Sequence, residues 1–330
     1  MPAYDGSKKY FFLPVNTGYS RAGVPDERCI EFYGSRSGHG LYCAIVGNVV
    51  IPNGYGSNAV CSKISTSTQW RDLANAIADS GAKPGIQLST SWKAFEGTRR
   101  FLARRPEDAL AEYRMAAAAI SRRDVQIAVD NLQRGTELAL EAGFLHVQLH
   151  AAHGYLFSLL LDGRFCAYSE EAMVRVNSWV RELHASGVES SLRFSVATGH
   201  AQVDAQDSEG HIDRMLSMSF DFFDASSGFY NINKQLIYPS TEPIIEARWK
   251  RTIEIAKRRP EKRIIISGKA SRLPEEACPS NVHIGICRDL IANPNFLREK
   301  QNGCASCMKC HYYSRGTPTL VCGQWLNRAR

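Results

Sequence analysis

Two rhythms of apolar and polar positions alternate along this chain. Short apolar runs bounded by Gly, Pro or Asn read as strands, while the longer stretches between them repeat apolar residues three and four apart, as a helix with one buried face does. The strand-like runs are Tyr10 to Val15, Leu41 to Val46, Pro84 to Leu88, Leu145 to His150, Ser190 to Val196, Phe220 to Ala225, Arg263 to Ser267 and Val282 to Ile286. Helical stretches fall at Trp70 to Ser80, Arg99 to Arg122, Asp124 to Ala142, Glu170 to Ser186, Gly210 to Met218 and Pro243 to Arg259. The Arg99 to Arg122 stretch fits either an insertion over the mouth of the fold or an ordinary outer helix. Eight strands alternating with helices predict an α/β fold, a (β/α)8 TIM barrel. An open doubly wound sheet is the alternative, and the lack of a Gly-x-Gly-x-x-Gly turn after the first strand counts against it. We expect the barrel over residues 1–300 and a cysteine-rich extension over 301–330.

The fourth strand organises the rest. From Leu145 to His150 side chains alternate between two faces, so Val147 and Leu149 pack on helices while His146, Gln148 and His150 face the other way. That second face is too polar for an ordinary core and reads as the lining of a cofactor cavity, because buried imidazoles need partners. The strand then empties into His150-Ala-Ala-His153-Gly-Tyr155, three proton-handling side chains at one exit. Arg193, set between Leu192 and Phe194 in a short strand, puts a permanent charge inside the sheet. Either a carboxylate or an anionic or carbonyl group of a ligand has to meet it.

Composition narrows the class. A chain of 330 residues with 44% apolar content and 22% charged content is ordinary for a soluble globular protein. A barrel of about 250 residues with additions fits that length. No run approaches a membrane span, and the start MPAYDGSKKYFF lacks a secretory leader's apolar core, so a cytoplasmic location is expected. In that compartment the ten cysteines argue against disulfides. The net charge of +7 is scattered and comes with no nucleic-acid recognition motif. Cys304-x2-Cys307-x2-Cys310-x11-Cys322 can converge on one metal centre, either zinc or an iron–sulfur cluster, with His311 as a substitute ligand.

HAAHGYL resembles the signature of the old yellow enzyme family, FMN-dependent barrel oxidoreductases. By that resemblance His150 and His153 hold an electron-withdrawing oxygen of the substrate and Tyr155 donates a proton. Gln87 in IQL and Arg193 match the residues that hold the flavin pyrimidine edge, and Gly47 matches a small residue beside the ring. Pro14-Val15-Asn16 stands in the place of a first-strand Pro-Met-Thr whose third residue contacts the reactive part of the flavin. ISGKA and ICRDLIANP match the phosphate site, with Gly268 and Arg288 in place and Cys287 where the family has glycine. GCASCMKC with its later VC looks like the [4Fe–4S] segment of the branch that includes trimethylamine dehydrogenase and 2,4-dienoyl-CoA reductase. Two departures imply a remodelled pocket: QLSTSWK puts Thr90 and Lys93 at the family's His and Arg places, and the loop after HGYL is short.

The resemblance implies hydride exchange at flavin N5 with an α,β-unsaturated carbonyl compound. A desaturase or amine dehydrogenase would run the same site in reverse. A flavin-free scaffold subunit with structural zinc is the reading from another class. A small-molecule substrate and a separate electron donor or acceptor, NAD(P)H or a redox protein, are the expected partners; a homo-oligomer is compatible, nucleic acid and membrane are not expected.

Overall fold

The computed structural model describes residues 7–328, with side chains through 325. The leader expectation rests partly on residues 1–6, which lie outside the described residues. Eight parallel strands close a barrel in sequence order: β1 (Tyr10–Phe12), β2 (Cys43–Val50), β3 (Lys83–Ser89), β4 (His146–Ala151), β5 (Glu189–Ser195), β6 (Phe222–Ser226), β7 (Ile264–Ile266) and β8 (Val282–Ile286), with β8 returning to β1. All eight expected strands are present, and closure excludes the open doubly wound sheet. A barrel leaves no unpaired edge and draws every strand's C-terminal end to one rim.

Helices follow the strands: α1 (Glu27–Gly34), α2 (Gln69–Asp79), α3 (Pro106–Ala118), α4 (Arg122–Glu141), α5 (Leu156–Leu160), α6 (Ser169–Ala185), α7 (Ser208–Ser217), α8 (Glu242–Arg258) and α9 (Arg288–Ala292). Ser121 opens α4 with a reciprocal capping box to Asp124, and α4 then buries Val125, Val129 and Leu132 against the strands. The expected helix over Arg99 to Arg122 begins only at Pro106, because proline fits the first helical turn and not a helix interior. Its buried Ala109, Tyr113 and Ala117 pack with Leu159, Phe229 and Ile232, which lie on segments following β4 and β6. The segment is therefore an insertion on the mouth side, and α4 is the outer helix of its β/α unit.

Inside the barrel the residues stack in layers. The lower layer is apolar: Phe11, Leu13, Cys43, Ile45, Phe222 and Ile265 form one buried cluster. Above and beside it the filling turns polar. Gln87 donates to Gln148 at 2.6 Å, Gln148 donates to Ser191 at 3.1 Å, and His146 meets Glu189 at 2.7 Å and Ser191 at 2.8 Å. These partners satisfy the polar face of β4 that the alternation foretold. No helix among the described residues is long and apolar enough to cross a membrane.

Candidate active site

Register carries the site. Across β4, β5 and β6, His150 lies beside Arg193 and Arg193 beside Asp224, one step below the pair Ser195 and Ser226. A cavity of about 1310 Å³, open mouth included, sits over this rim. Pro14, Asn16, Gln87, His150, His153, Tyr155, Arg193, Gly268, Cys287 and Arg288 all line it. Ten of the sequence-derived candidates, from six different segments, thus meet in one place.

His150 and His153 stand edge to face with ring centroids 5.1 Å apart, and the Tyr155 ring is 4.8 Å from that of His150. Burial, then the Arg193 charge, holds both imidazoles well below their usual range, so both are neutral near pH 7. His153 sits at φ +64, a left-handed conformation unusual for a side-chain-bearing residue, and the following Gly154 continues it at φ +78. A Cβ at Gly154 would lie 2.5 Å from the Tyr113 ring, so only glycine fits this turn. Tyr155 is buried between Phe95 and Tyr230, and burial with the neighbouring Tyr238 drives its phenol well above 10. The group is a protonated acid held beside two neutral imidazoles.

Arg193 pairs with Asp224, its Nη1 donating to Oδ2 at 3.0 Å, so the carboxylate reading of this arginine holds; the guanidinium also lines the cavity, and its buried Nε has no partner among the described residues. Arg248 reaches the same wall from α8. It donates to the carbonyls of Leu236 at 3.0 Å and Ala225 at 3.2 Å, and its Nε too is buried without a partner. Burial and the nearby Arg193 lower its pKa to about 10. Arg288 completes a row of three guanidiniums. It donates to the Pro239 carbonyl and reaches Met308 Sδ at 3.5 Å. Opposite them stand Asp224 and Asp289, the second of which is turned to Ser271 and the Cys304 amide. Positive charge is in excess along this wall, which suits an anionic ligand.

At the same end Gly268 and Lys269 both take positive φ, +77 and +64, and a Cβ at Gly268 would lie 2.9 Å from Arg248 Cδ. The backbone thus comes close to the cavity wall where a side chain could not. Unpartnered guanidinium nitrogens, a glycine-lined turn and Arg288 make a donor set that fits an anionic ligand such as the FMN expected from the sequence.

One candidate sits differently from the expectation. Gly47 does not line the cavity; Asn48 does, after a register shift between Val46 and Val49. A Cβ at Gly47 would lie 2.8 Å from Gln87 Cβ and 3.2 Å from Pro14 Cβ, so its smallness lets two lining residues close together. Asn16 spends its amide locally, accepting from the Gly18 N–H at 3.1 Å and donating to Cys61 Sγ at 3.3 Å.

The C-terminal segment folds back over the rim. Cys304, Cys310, Leu320 and Cys322 pack on the main core, and Cys310 and Tyr312 line the cavity. Lys234, with 0% exposure, donates to the Thr98 carbonyl at 2.6 Å and to Ser314 at 2.8 Å, tying this segment to the loop before α3. Burial lowers its ammonium to about 8. Burial, with the Cys287 and Cys304 thiols nearby, raises the Cys310 thiol to about 12; at Cys307 burial is outweighed by backbone N–H groups of Lys309 and Gly323, and its pKa falls. The four spaced cysteines share one neighbourhood. Among the described residues, however, no three His, Cys, Asp or Glu side chains stand as a ligand set for a metal ion.

Arg248, Asp224, Ser226, Tyr230 and Tyr238 escaped the sequence reading. Arg248 lies in an amphipathic helix where one arginine among several carries no signal, and Asp224 is a single acid in an apolar strand. The alternation of β6, which puts Phe222, Asp224 and Ser226 on one face, was the signal available.

Comparisons with known proteins bear on the family and the fold. The model of the NADH:flavin oxidoreductase / NADH oxidase family matches residues 15–306. Of the four spaced cysteines, only Cys304 lies within that match. The NADPH dehydrogenase of Geobacillus sp. (strain WCH70) is 28% identical over 180 residues, 51% of this chain and 52% of that protein. The chain therefore spans about half the length of the curated relative it matches. The crystal structure of Old Yellow Enzyme from Pichia sp. AKU4542 superposes with a TM-score of 0.64 at 16% identity, covering 88% of this chain and 83% of that one; this is a likeness of fold.

Proposed function

From the membership of this chain in the NADH:flavin oxidoreductase / NADH oxidase family, that of the old yellow enzymes, we propose that it is an FMN-dependent oxidoreductase acting on α,β-unsaturated carbonyl compounds. The observation that carries the reading is the meeting of His150, His153 and Tyr155 on one cavity with Arg193 and Arg248, whose Nε atoms have no partner among the described residues. Bound FMN supplies hydride transfer at its N5. The chain's own residues do the rest. Neutral His150 and His153 donate hydrogen bonds to the substrate's carbonyl oxygen and polarise the conjugated double bond. Tyr155, protonated throughout the neutral range, delivers the proton. Phe95, Tyr230 and Tyr238 keep bulk water from that face, which strengthens each of these hydrogen bonds.

NAD(P)H or a redox protein supplies the electrons in this reading, and the protein acts in the cytoplasm. The four-cysteine segment, residues 301–330, favours a second reading in which Cys304, Cys307, Cys310 and Cys322 close round a [4Fe–4S] cluster and electrons leave through it, as in a desaturase or amine dehydrogenase. Spacing supports a common metal centre, and the likeness of GCASCMKC and its later VC to a [4Fe–4S] segment favours the cluster over zinc. Among the described residues the thiols do not form the ligand set. An absorbance spectrum tests both readings: purified protein reconstituted with FMN shows flavin bands that NADPH bleaches anaerobically and 2-cyclohexenone restores. Protein that stays colourless after reconstitution ends the flavin reading. Bleaching with no reoxidation by any enone, and reduction by an amine or saturated ketone instead, selects the reverse direction.

A further inference from the structure

Ser226, at the C-terminal end of β6, is the meeting point of three side chains that face the cavity. Arg248 Nη2 lies 3.1 Å from its Oγ, Arg193 Nη2 lies 3.5 Å away, and His153 Nε2 lies 2.7 Å away. A hydroxyl has one proton to give and two lone pairs to receive with. A guanidinium can only donate, so both arginines occupy lone pairs of Oγ. The serine proton then has one place left to go. We infer that Ser226 is a positioning residue, which donates its hydroxyl proton to His153 Nε2 and thereby locks that imidazole as the Nδ1–H tautomer.

Protonated His153 would not fit the hub, because three donors would compete for two lone pairs and the serine proton would have no acceptor. His150 is set the other way. Its Nδ1 accepts from the Ala152 amide N–H at 3.3 Å, so its proton sits on Nε2, and among the described residues that nitrogen has no other partner. Two neighbouring neutral imidazoles thus carry opposite tautomers, and each keeps one N–H for a ligand. The arrangement turns the buried charge of Arg248, which is remote from His153 in sequence, into a proton address on the substrate-binding ring. It selects a ligand atom that accepts two hydrogen bonds at once, such as an enone or nitro oxygen, over one that must donate. This specificity rests on the proposed oxidoreductase reading, whereas the tautomer itself does not.

Proton-correlated nitrogen spectra of FMN-reconstituted protein labelled with 15N-histidine test it. His153→Gln identifies the His153 signals among the nine histidines. In the wild type, His153 Nε2 should be unprotonated and Nδ1 protonated. In Ser226→Ala the lock is gone, so the ring should move to the Nε2–H form that an unrestrained neutral imidazole favours; Ser226→Thr, which keeps the hydroxyl, should restore Nδ1–H. KM for 2-cyclohexenone should rise about tenfold in Ser226→Ala, the scale of one lost hydrogen bond, with flavin content unchanged. A wild-type His153 protonated on Nε2, or one whose tautomer ignores Ser226→Ala, overturns the inference while leaving the functional reading intact. An Nδ1–H ring that responds to Ser226→Ala in a protein that reduces no enone supports the lock and removes the functional reading instead.

Discussion

Arg193 and Asp224 are register partners on adjacent barrel strands, and their side chains meet at 3.0 Å with the carboxylate at 0% exposure. The pairing fixes the guanidinium without using all of it, since Nε has no partner among the described residues. Burial raises the Asp224 carboxyl although Arg193 and Arg248 pull it down.

Arg193→Ala is expected to weaken FMN binding by about 2 to 4 kcal/mol, roughly 30- to 700-fold in Kd, because a charge-assisted contact is lost and Asp224 is left buried alone. Quenching of FMN fluorescence during titration measures it. An unchanged Kd would assign the arginine to holding Asp224 only.

Tyr155→Phe removes the acid and little else, since the ring keeps its packing on Phe95 and Tyr230. Turnover of an enone should fall by about 10²- to 10⁴-fold with flavin content and anaerobic reduction by NADPH preserved. Stopped-flow separation of the reductive and oxidative half-reactions checks this. A fully active variant would make the tyrosine structural.

If the spaced cysteines hold a [4Fe–4S] cluster, anaerobically prepared protein should contain about four irons and four sulfides per chain, and Cys307→Ala should abolish both. Stoichiometric zinc without sulfide would support the structural alternative and leave the flavin site untouched.

Glu189 at the lower end of the barrel gives a prediction in pH. Burial pushes its carboxyl up, but the hydrogen bond with His146, the nearby Lys83 at 3.2 Å and the Tyr42 hydroxyl outweigh it and hold the pKa at about 2. A depressed folded-state value stabilises the fold above the unfolded pKa of about 4.3, and that stability is lost as pH falls toward 2. Glu189→Gln should therefore be less stable than wild type by about 3 kcal/mol at pH 7. The gap should narrow steadily below pH ~4.5 in urea titrations. A gap independent of pH would show that packing, not charge, is what the carboxylate supplies.

Local pattern made much of this protein legible. The eight strands lie where short apolar runs predicted them because a buried parallel strand needs little more than its own composition. The two faces of β4 follow from the pleat alone, and His150, His153 and Tyr155 meet because one strand exit carries all three. The long helix expected from Arg99 is shorter because the proline that starts it lies further on.

By itself, then, the sequence determined the barrel, its strand order and the histidine–tyrosine rim, since each is written in residues a few positions apart. Only the tertiary structure decided that Arg248 on an outer helix enters the same wall as Arg193. It alone revealed that Asp224 and Ser226 sit beneath that wall, and that the buried Lys234 ties the C-terminal segment across the mouth. Those relations join residues distant in the chain, and no periodicity encodes them. Barrel closure sets them: it turns a shared position on separate strands into contact, and leaves charges without water so that they must find each other or a ligand.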